Sequence, residues 1–388
     1  MLKCLPPVGH PIVLTSSKNP EKVLQTVFGD SPVFLYGSGT MALAASLLAI
    51  KELHGIASPE VILPAYACPD LISAALFAGI KPVLVDLEHN TPWMDLEKLK
   101  ERIGRNTIAV IATHFLGITE RMSEIRKLLS DSDVVLIEDS AQLFPKIPSE
   151  DVWQGDLIVL SFGRGKPVSL LGGGAVICKE MSMQSHLPLA GNAVLIPDTD
   201  PPSLKFLFKA ALYNRLLSPI WYARLTSLPF LHLGETRYKP LADLETARRG
   251  FIATLVANIE AYTSRNLKPQ LGISSMLAEV SSEAITDLPS ATMNNPALPL
   301  LRYPILLKTA ALRDRLFASL KKSGLGVSIM YPAPLTDIDG LKGVLQNQGS
   351  SPEAASFSKR LLTLPCHKGV SFNHIQQIGC VLNELLCV

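Results

Sequence analysis

Leu157-Ile158-Val159-Leu160-Ser161-Phe162-Gly163-Arg164-Gly165-Lys166 is the stretch on which the fold turns. Leu157 to Leu160 is an unbroken apolar run and reads as a buried strand. The chain then drops into small and polar residues and places a lysine just off the strand end. Gly172, Gly173 and Gly174 follow, and then a second apolar run, Ala175 to Cys178. A lysine set among glycines and beside a serine can form an imine with an aldehyde cofactor. A desolvated amine gives up its proton more readily and becomes a nucleophile. Taken alone, the stretch favours the plainer reading, a solvated loop lysine.

The flanking chain changes that balance. Val61-Ile62-Leu63 reads as a strand ending at Pro64, and Asp70 to Ala78 as a helix stopped by Gly79. Strand Pro82 to Val85, helix Asp95 to Ile103, strand Ile108 to Ala112 and helix Glu120 to Leu129 follow. Strand Val134 to Ile137 then runs into Glu138-Asp139-Ser140-Ala141-Gln142. This alternation predicts βαβ units in an α/β fold with a mainly parallel sheet flanked by helices. Continuous apolar strands imply that both sheet faces are covered. Ligands of such sheets sit beyond the carboxyl ends of the strands. That rule gathers Asp139 to Gln142, Ser161 to Lys166 and the turn after Leu63. Glu138 and Asp139 are neighbours on extended chain, so only one can face a given ligand. A buried carboxylate needs a partner, either a protonated pyridine nitrogen or an arginine or lysine elsewhere. Further upstream, Val33-Phe34-Leu35 leads into Gly37-Ser38-Gly39-Thr40 and an Ala- and Leu-rich helix from Met41 to Leu53. Small residues opening a helix suit a phosphate on Gly39 and Thr40. The alternative is a tight turn with Thr40 as N-cap.

The composition, 47% apolar and 18% charged, is that of a globular chain, and a length of 388 residues suggests two or three domains or one large domain with an appendage. A scattered net charge of +2 offers no stripe for nucleic acid. The six cysteines include no C-x-x-C pair, which argues against a metal site and fits a reducing, cytoplasmic setting. The start lacks a signal-peptide pattern, and no apolar run is long enough to span a bilayer. Residues 188–240 break the alternation with many prolines around an apolar stretch, Phe206 to Leu233. The preferred reading is a pair of short core helices. The weaker one is a surface pair resting on a membrane or a partner subunit. Leu241 to Tyr262 reads as one long amphipathic helix, and residues 270–300 show no pattern. From Arg302 the chain reads as α+β: strand Tyr303 to Leu307, helix Ala311 to Lys322, strand Val327 to Tyr331 and helix Asn373 to Leu386. The expected division is a large domain at 1–240 and a linking helix plus small domain at 241–388.

Several stretches, in order, resemble one family. They are Ser38-Gly39-Thr40-x-Ala42-Leu43, Glu60 to Pro64, Ala78-Gly79-x-Lys81-Pro82-Val83-x-x-Asp86 and His114-x-x-Gly117. Glu138-Asp139-x-Ala141-Gln142, Gly155-Asp156, Ser161-Phe162-x-x-x-Lys166 and Gly173-Gly174-Ala175 continue the series. A looser echo appears at Tyr331-Pro332 and Leu364-Pro365. The chain resembles the DegT/DnrJ/EryC1/StrS sugar aminotransferases, which are pyridoxal 5'-phosphate (PLP) enzymes of the aspartate-aminotransferase fold. The resemblance implies a PLP-dependent transferase of fold type I. In it Lys166 would hold PLP as an imine, Asp139 would pair with the pyridine nitrogen, and Gln142 would sit close to the ring. Gly39, Thr40 and Ser161 would hold the phosphate. The resemblance further implies small-molecule substrates: an amino-acid donor, glutamate first, and a nucleotide-linked keto sugar. It also implies a homodimer. Two departures stand out. Cys68 occupies the place where an aromatic ring often stacks on the cofactor, with Tyr66 as the nearby ring. The asparagine that a partner subunit often supplies is missing from Gly234-Glu235-Thr236-Arg237-Tyr238-Lys239, where Arg237 or Lys239 is the cationic candidate. His114 is either a substrate neighbour or a hydrogen-bonded structural residue. The competing readings are a PLP enzyme acting on a non-sugar carbonyl or by elimination, and a non-catalytic membrane-associated regulator.

Overall fold

The computed structural model describes residues 3–15, 17–146, 153–188, 201–226, 236–248, 250–280, 282–292 and 298–386. Its large sheet joins β1 (Val33–Tyr36), β2 (Glu60–Pro64), β3 (Lys81–Val85), β4 (Thr107–Thr113), β5 (Val135–Asp139), β6 (Leu157–Ser161) and β7 (Gly174–Cys178). The strand order is β1-β7-β6-β5-β4-β2-β3. β3, β2, β4, β5 and β6 run parallel, while β7 is antiparallel to both β6 and β1. The mainly parallel sheet read from the alternation is therefore the sheet that forms.

The helices among these strands are α1 (Pro20–Phe28), α2 (Gly39–His54), α3 (Asp70–Phe77), α4 (Leu96–Arg102), α5 (Met122–Leu128) and α6 (Met181–Gln184). Side chains of one strand alternate between two cores. Val61 and Leu63 pack into one cluster, and Ile62 packs into the other with Leu99 and Ile125. That alternation explains why the strands read as unbroken apolar runs. α2 is the central helix. Its residues Ala42, Ala44, Ala45, Leu47, Ala49 and Ile50 are all fully buried. Alanine fits here because it has high helix propensity and lets the helix approach the sheet closely. Ser38, not Thr40, is the N-cap: its hydroxyl accepts the Met41 N–H at 3.1 Å. Gly55, in the left-handed region, closes the helix by donating to Lys51.

The remaining elements are α7 (Leu204–Leu216), α8 (Pro219–Thr226), α9 (Phe251–Thr263), α10 (Lys268–Val280), β8 (Ile285–Asp287) and α11 (Leu288–Thr292). They continue with β9 (Tyr303–Leu307), α12 (Ala310–Lys322), α13 (Pro352–Arg360), β10 (Leu361–Leu364) and α14 (Phe372–Leu386). β10, β9 and β8 form a small antiparallel sheet.

Four expectations need correction. The helix read over Leu241 to Tyr262 starts only at Phe251, because the preceding chain is used by the large sheet. Gly37 donates to Glu245 at 2.8 Å, and Thr246 pairs with Tyr36 at the edge of β1. Val327 to Tyr331 is not a strand, and only Ser328 forms a bridge, to Thr363. The segment at 270–300 holds the end of α10, β8 and α11, whose short lengths hid their period. α7 and α8 are not core helices: α7 buries only Phe206 and Ala210, and α8 buries none of its residues.

Candidate active site

The carboxyl ends of β1, β2, β4, β5 and β6 share one edge of the large sheet, and the amino end of β7 joins them. Register places Thr113 opposite Asp139, and Ser161 opposite Gly174. At this edge Glu138 and Asp139 part company, as neighbours on a strand must. Glu138 turns inward and is completely buried. One of its oxygens lies 2.7 Å from His114 Nε2, and the other accepts the N–H groups of Gln154 and Gly155 at 2.6 and 2.8 Å. His114 Nδ1 accepts the Glu120 N–H at 3.0 Å, so Nε2 carries the proton and donates to Glu138. Both nitrogens of His114 are thereby occupied, which places this histidine in the structural role. Asp139 is half-buried on the other side. Its Oδ1 accepts the Ala141 N–H at 3.0 Å. Burial raises its pKa above the ordinary carboxylate value, and the positive charge of Lys166 opposes that rise.

Lys166 is half-buried in the loop after β6, with its backbone N–H bonded to Gly163 at 3.3 Å. Among the described residues its amine has no hydrogen bond or ion pair. Its electrostatic neighbours include Asp139 and Cys68. The loop returns to β7 through Gly173, at φ +92°, where an added Cβ would come within 2.3 Å of the Phe251 ring. Across the same edge, α2 begins at Gly39, against Ser161. A Cβ on Gly39 would fall 2.6 Å from Ser161 Cβ and 2.7 Å from its Oγ. Ser161 Oγ thus lies against the first turn of α2. There the helix dipole and the amides not used by Ser38 favour an anion. The Thr40 hydroxyl donates to Asp70 at 3.1 Å.

Gln142 is buried with both ends of its amide engaged. Its oxygen accepts the Leu116 N–H at 2.9 Å, and its nitrogen donates to the Tyr331 hydroxyl at 2.8 Å. Leu116 sits at φ 56°, a left-handed conformation that costs a leucine about 1 kcal/mol or more and that Gln142 helps to hold. Burial pushes Tyr331 well above the usual phenol value, with Cys68, Tyr66 and Asp139 around it. Tyr66 is buried in an aromatic cluster with Phe115, Tyr331 and Phe357. Its hydroxyl donates to the Tyr331 carbonyl at 2.9 Å and accepts the Tyr331 N–H at 3.1 Å. Cys68 faces the cleft as a neutral thiol, its pKa pushed up to about 12 by burial and then by Asp70. Sequence reasoning singled out neither Tyr331 nor Asp70; the only signal was the faint Tyr331-Pro332 echo. Arg237 and Lys239 are exposed, and Gly234 and Glu235 lie outside the described residues.

Among the described residues, this edge therefore carries an amine without a hydrogen-bond partner, a carboxylate with one oxygen unused, and a helix start too tight for a Cβ at Gly39. PLP requires that donor set: a site for its aldehyde, one for its ring nitrogen and one for its phosphate.

A profile of the DegT/DnrJ/EryC1/StrS aminotransferase family matches residues 16–190 and 255–383. A dTDP-4-amino-4,6-dideoxy-D-glucose transaminase from Shigella dysenteriae is 28% identical over 183 residues, 46% of this chain and 48% of that one. The first curated relatives are matched over less than half of their own length. A UDP-4-amino-4,6-dideoxy-N-acetyl-beta-L-altrosamine transaminase from Campylobacter jejuni is 24% identical over 94% of this chain and 88% of its own. The PLP form of a putative sugar aminotransferase from Streptococcus pneumoniae superimposes with a TM-score of 0.65 at 19% identity, covering 97% of this chain and 93% of that one. The profile covers most of the chain and the fold agrees with it: this chain belongs to the DegT/DnrJ/EryC1/StrS aminotransferase family, whose cofactor is PLP.

Proposed function

We propose that the protein is an aminotransferase that moves an amino group from glutamate to the keto group of a nucleotide-linked sugar. The observation that carries this reading is the juxtaposition of Lys166 and Asp139 across one cleft, at the ends of adjacent strands β6 and β5. Both full-name relatives quoted above are transaminases of nucleotide-linked amino sugars, which supports the choice of acceptor.

When bound, PLP supplies an aldehyde to receive the amino group and a cationic ring that draws electrons from the substrate's Cα–H bond. The chain supplies the rest. Asp139 keeps a proton on the ring nitrogen, since a buried carboxylate is stabilised by a cation and raises that cation's own pKa. Lys166 would hold the cofactor at its aldehyde, and its amine would take and return the substrate's Cα proton. Gly39, Thr40 and Ser161 hold the phosphate at the start of α2. Gln142 holds Tyr331 and the Leu116 backbone in place, and Tyr66 and Cys68 would line the cofactor's pocket. Arg237 and Lys239, both exposed in the single chain, would be the cations offered to a phosphate across a homodimer interface. We assign the large domain to residues 1–240 and the linking and small-domain elements to 241–388.

The test is spectral and chemical. Purified protein given PLP should show a visible absorption band that Lys166→Ala removes. Glutamate alone should then release stoichiometric 2-oxoglutarate. A wild type that stays colourless with ample PLP would defeat the proposal. A coloured protein that releases no 2-oxoglutarate would point to elimination chemistry instead.

A further inference from the structure

The family profile stops at residue 190 and resumes at 255. α7 and α8 lie inside that gap, outside the residues that the profile matches. One face of α7 is firmly held. Phe206 and Ala210 are buried in a core cluster with Phe251. The Arg248 guanidinium lies 3.7 Å over the Phe206 ring. The Asn214 amide takes both polar atoms of the Ile12 backbone, at 2.7 and 2.8 Å. The opposite face is bare. Leu204, Phe208 and Leu212 follow one another at steps of one helical turn and are 85%, 71% and 47% exposed. Lys205 and Lys209 border this apolar row and Arg215 closes it, all three exposed. Next to it, α8 holds Trp221 between Arg215 and Arg224, whose guanidinium carbons lie 5.0 and 4.8 Å from the ring centre. From residue 203 to 226 the chain carries those four cations and no aspartate or glutamate.

We propose that α7 and α8 dock the protein on an anionic lipid surface, with α7 lying in the plane of the headgroups. An exposed apolar row bordered by cations, with no acid beside it, matches the boundary between acyl chains and anionic headgroups. Tryptophan is at home at that depth, with one apolar body and one polar tip. Were these two helices to pack on their own copies, like charges would meet with no aspartate or glutamate from residues 203 to 226 between them. The contact is with a surface and does not cross it, since among the described residues no helix is long and apolar enough to span a membrane.

The test is co-sedimentation of the full PLP-loaded protein with vesicles. Wild type should partition onto phosphatidylglycerol–phosphatidylcholine vesicles, more weakly onto pure phosphatidylcholine, and less as salt is added. Lys205→Gln with Lys209→Gln should lower partition roughly twenty-five-fold, about fivefold per cation. Leu204→Ser with Phe208→Ser should lower it roughly tenfold or more. These positions are exposed, so both variants should keep the wild-type unfolding temperature, and a lost partition then reports the surface and not the fold. Wild type that stays in the supernatant with anionic vesicles overturns the proposal. So does equal partition of wild type and the Leu204→Ser, Phe208→Ser variant. A larger assembly in solution that the same variant dissolves, without any vesicle binding, would assign the face to a second copy instead.

Discussion

Replacing His114 with alanine should cost this protein about 3–5 kcal/mol of stability, although the residue touches no part of the cleft surface. The imidazole and the Glu138 carboxyl are 2.7 Å apart with both side chains 0% exposed. Removing the ring deletes a hydrogen bond to a charged group, worth about 1.5–3 kcal/mol. It also leaves the Glu120 N–H without its acceptor, an unsatisfied buried donor costing about 1–3 kcal/mol. Glu138 keeps Gln154 and Gly155 on its second oxygen, so the total falls nearer the lower figure. Glu138→Gln should cost about 2–3 kcal/mol for a geometric reason. Whichever way the new amide is turned, its NH2 faces a donor: the His114 Nε2–H on one side, or two backbone N–H groups on the other. Because the two residues share one bond, the double variant should lose less than the sum of the singles, with a coupling of about 1–3 kcal/mol. The assay is urea unfolding of the cofactor-free chain for all four proteins, with PLP affinity measured alongside. The backbone N–H of His114 donates to the Asp139 carbonyl at 3.1 Å and survives in the alanine variant, so PLP affinity should change far less than stability. A His114→Ala protein within about 1 kcal/mol of wild type, or strictly additive losses, would refute the argument.

Asp139→Asn should raise the stability of the cofactor-free chain while lowering turnover by about 10²–10⁴-fold. The sign follows from the raised pKa: the folded state binds the proton more tightly than the unfolded one, so stability is greatest at low pH. It should decline as pH climbs from the ordinary aspartate value of about 3.9 to the raised folded value, then level off. Thermal scans across that window should show the decline in wild type and a flatter profile in the asparagine variant; identical slopes would contradict this reading. Gly39→Ala should weaken PLP binding by about tenfold or more, because its Cβ would sit 2.6 Å from Ser161 and push the phosphate cradle open. Equilibrium dialysis would detect this, and unchanged affinity would remove Gly39 from the cradle. Tyr66→Phe should cost about 1–3 kcal/mol in unfolding midpoint, since the Tyr331 N–H loses its acceptor in the interior. A neutral result would mean that water reaches that amide.

How much of this was readable in the chain itself depends on distance along it. The strands of the large sheet and the position of Lys166 and Asp139 at their ends follow from local apolar runs and from the rule that parallel sheets present their carboxyl ends to ligands. Those signals need only neighbours in sequence. Tyr331 became part of the cleft through a bond to Gln142 that spans 189 residues, and no local pattern announces such a contact. The opposed fates of Glu138 and Asp139 were foreseeable as alternation, but which of the two faced the cleft was decided by His114, 24 residues upstream. The start of α9 was hidden for the same kind of reason: the apolar steps continue through Leu244, yet β1 needed an edge partner and recruited residues 245–246. For α7 the composition was plain and its destination was not. Leucine and phenylalanine at helical spacing describe a core helix or a surface one equally well. Only the packing of Phe206, Ala210 and Asn214 settles which face is held by the protein and which is left for something else. Local chemistry determined the elements, and long-range packing chose what each of them meets.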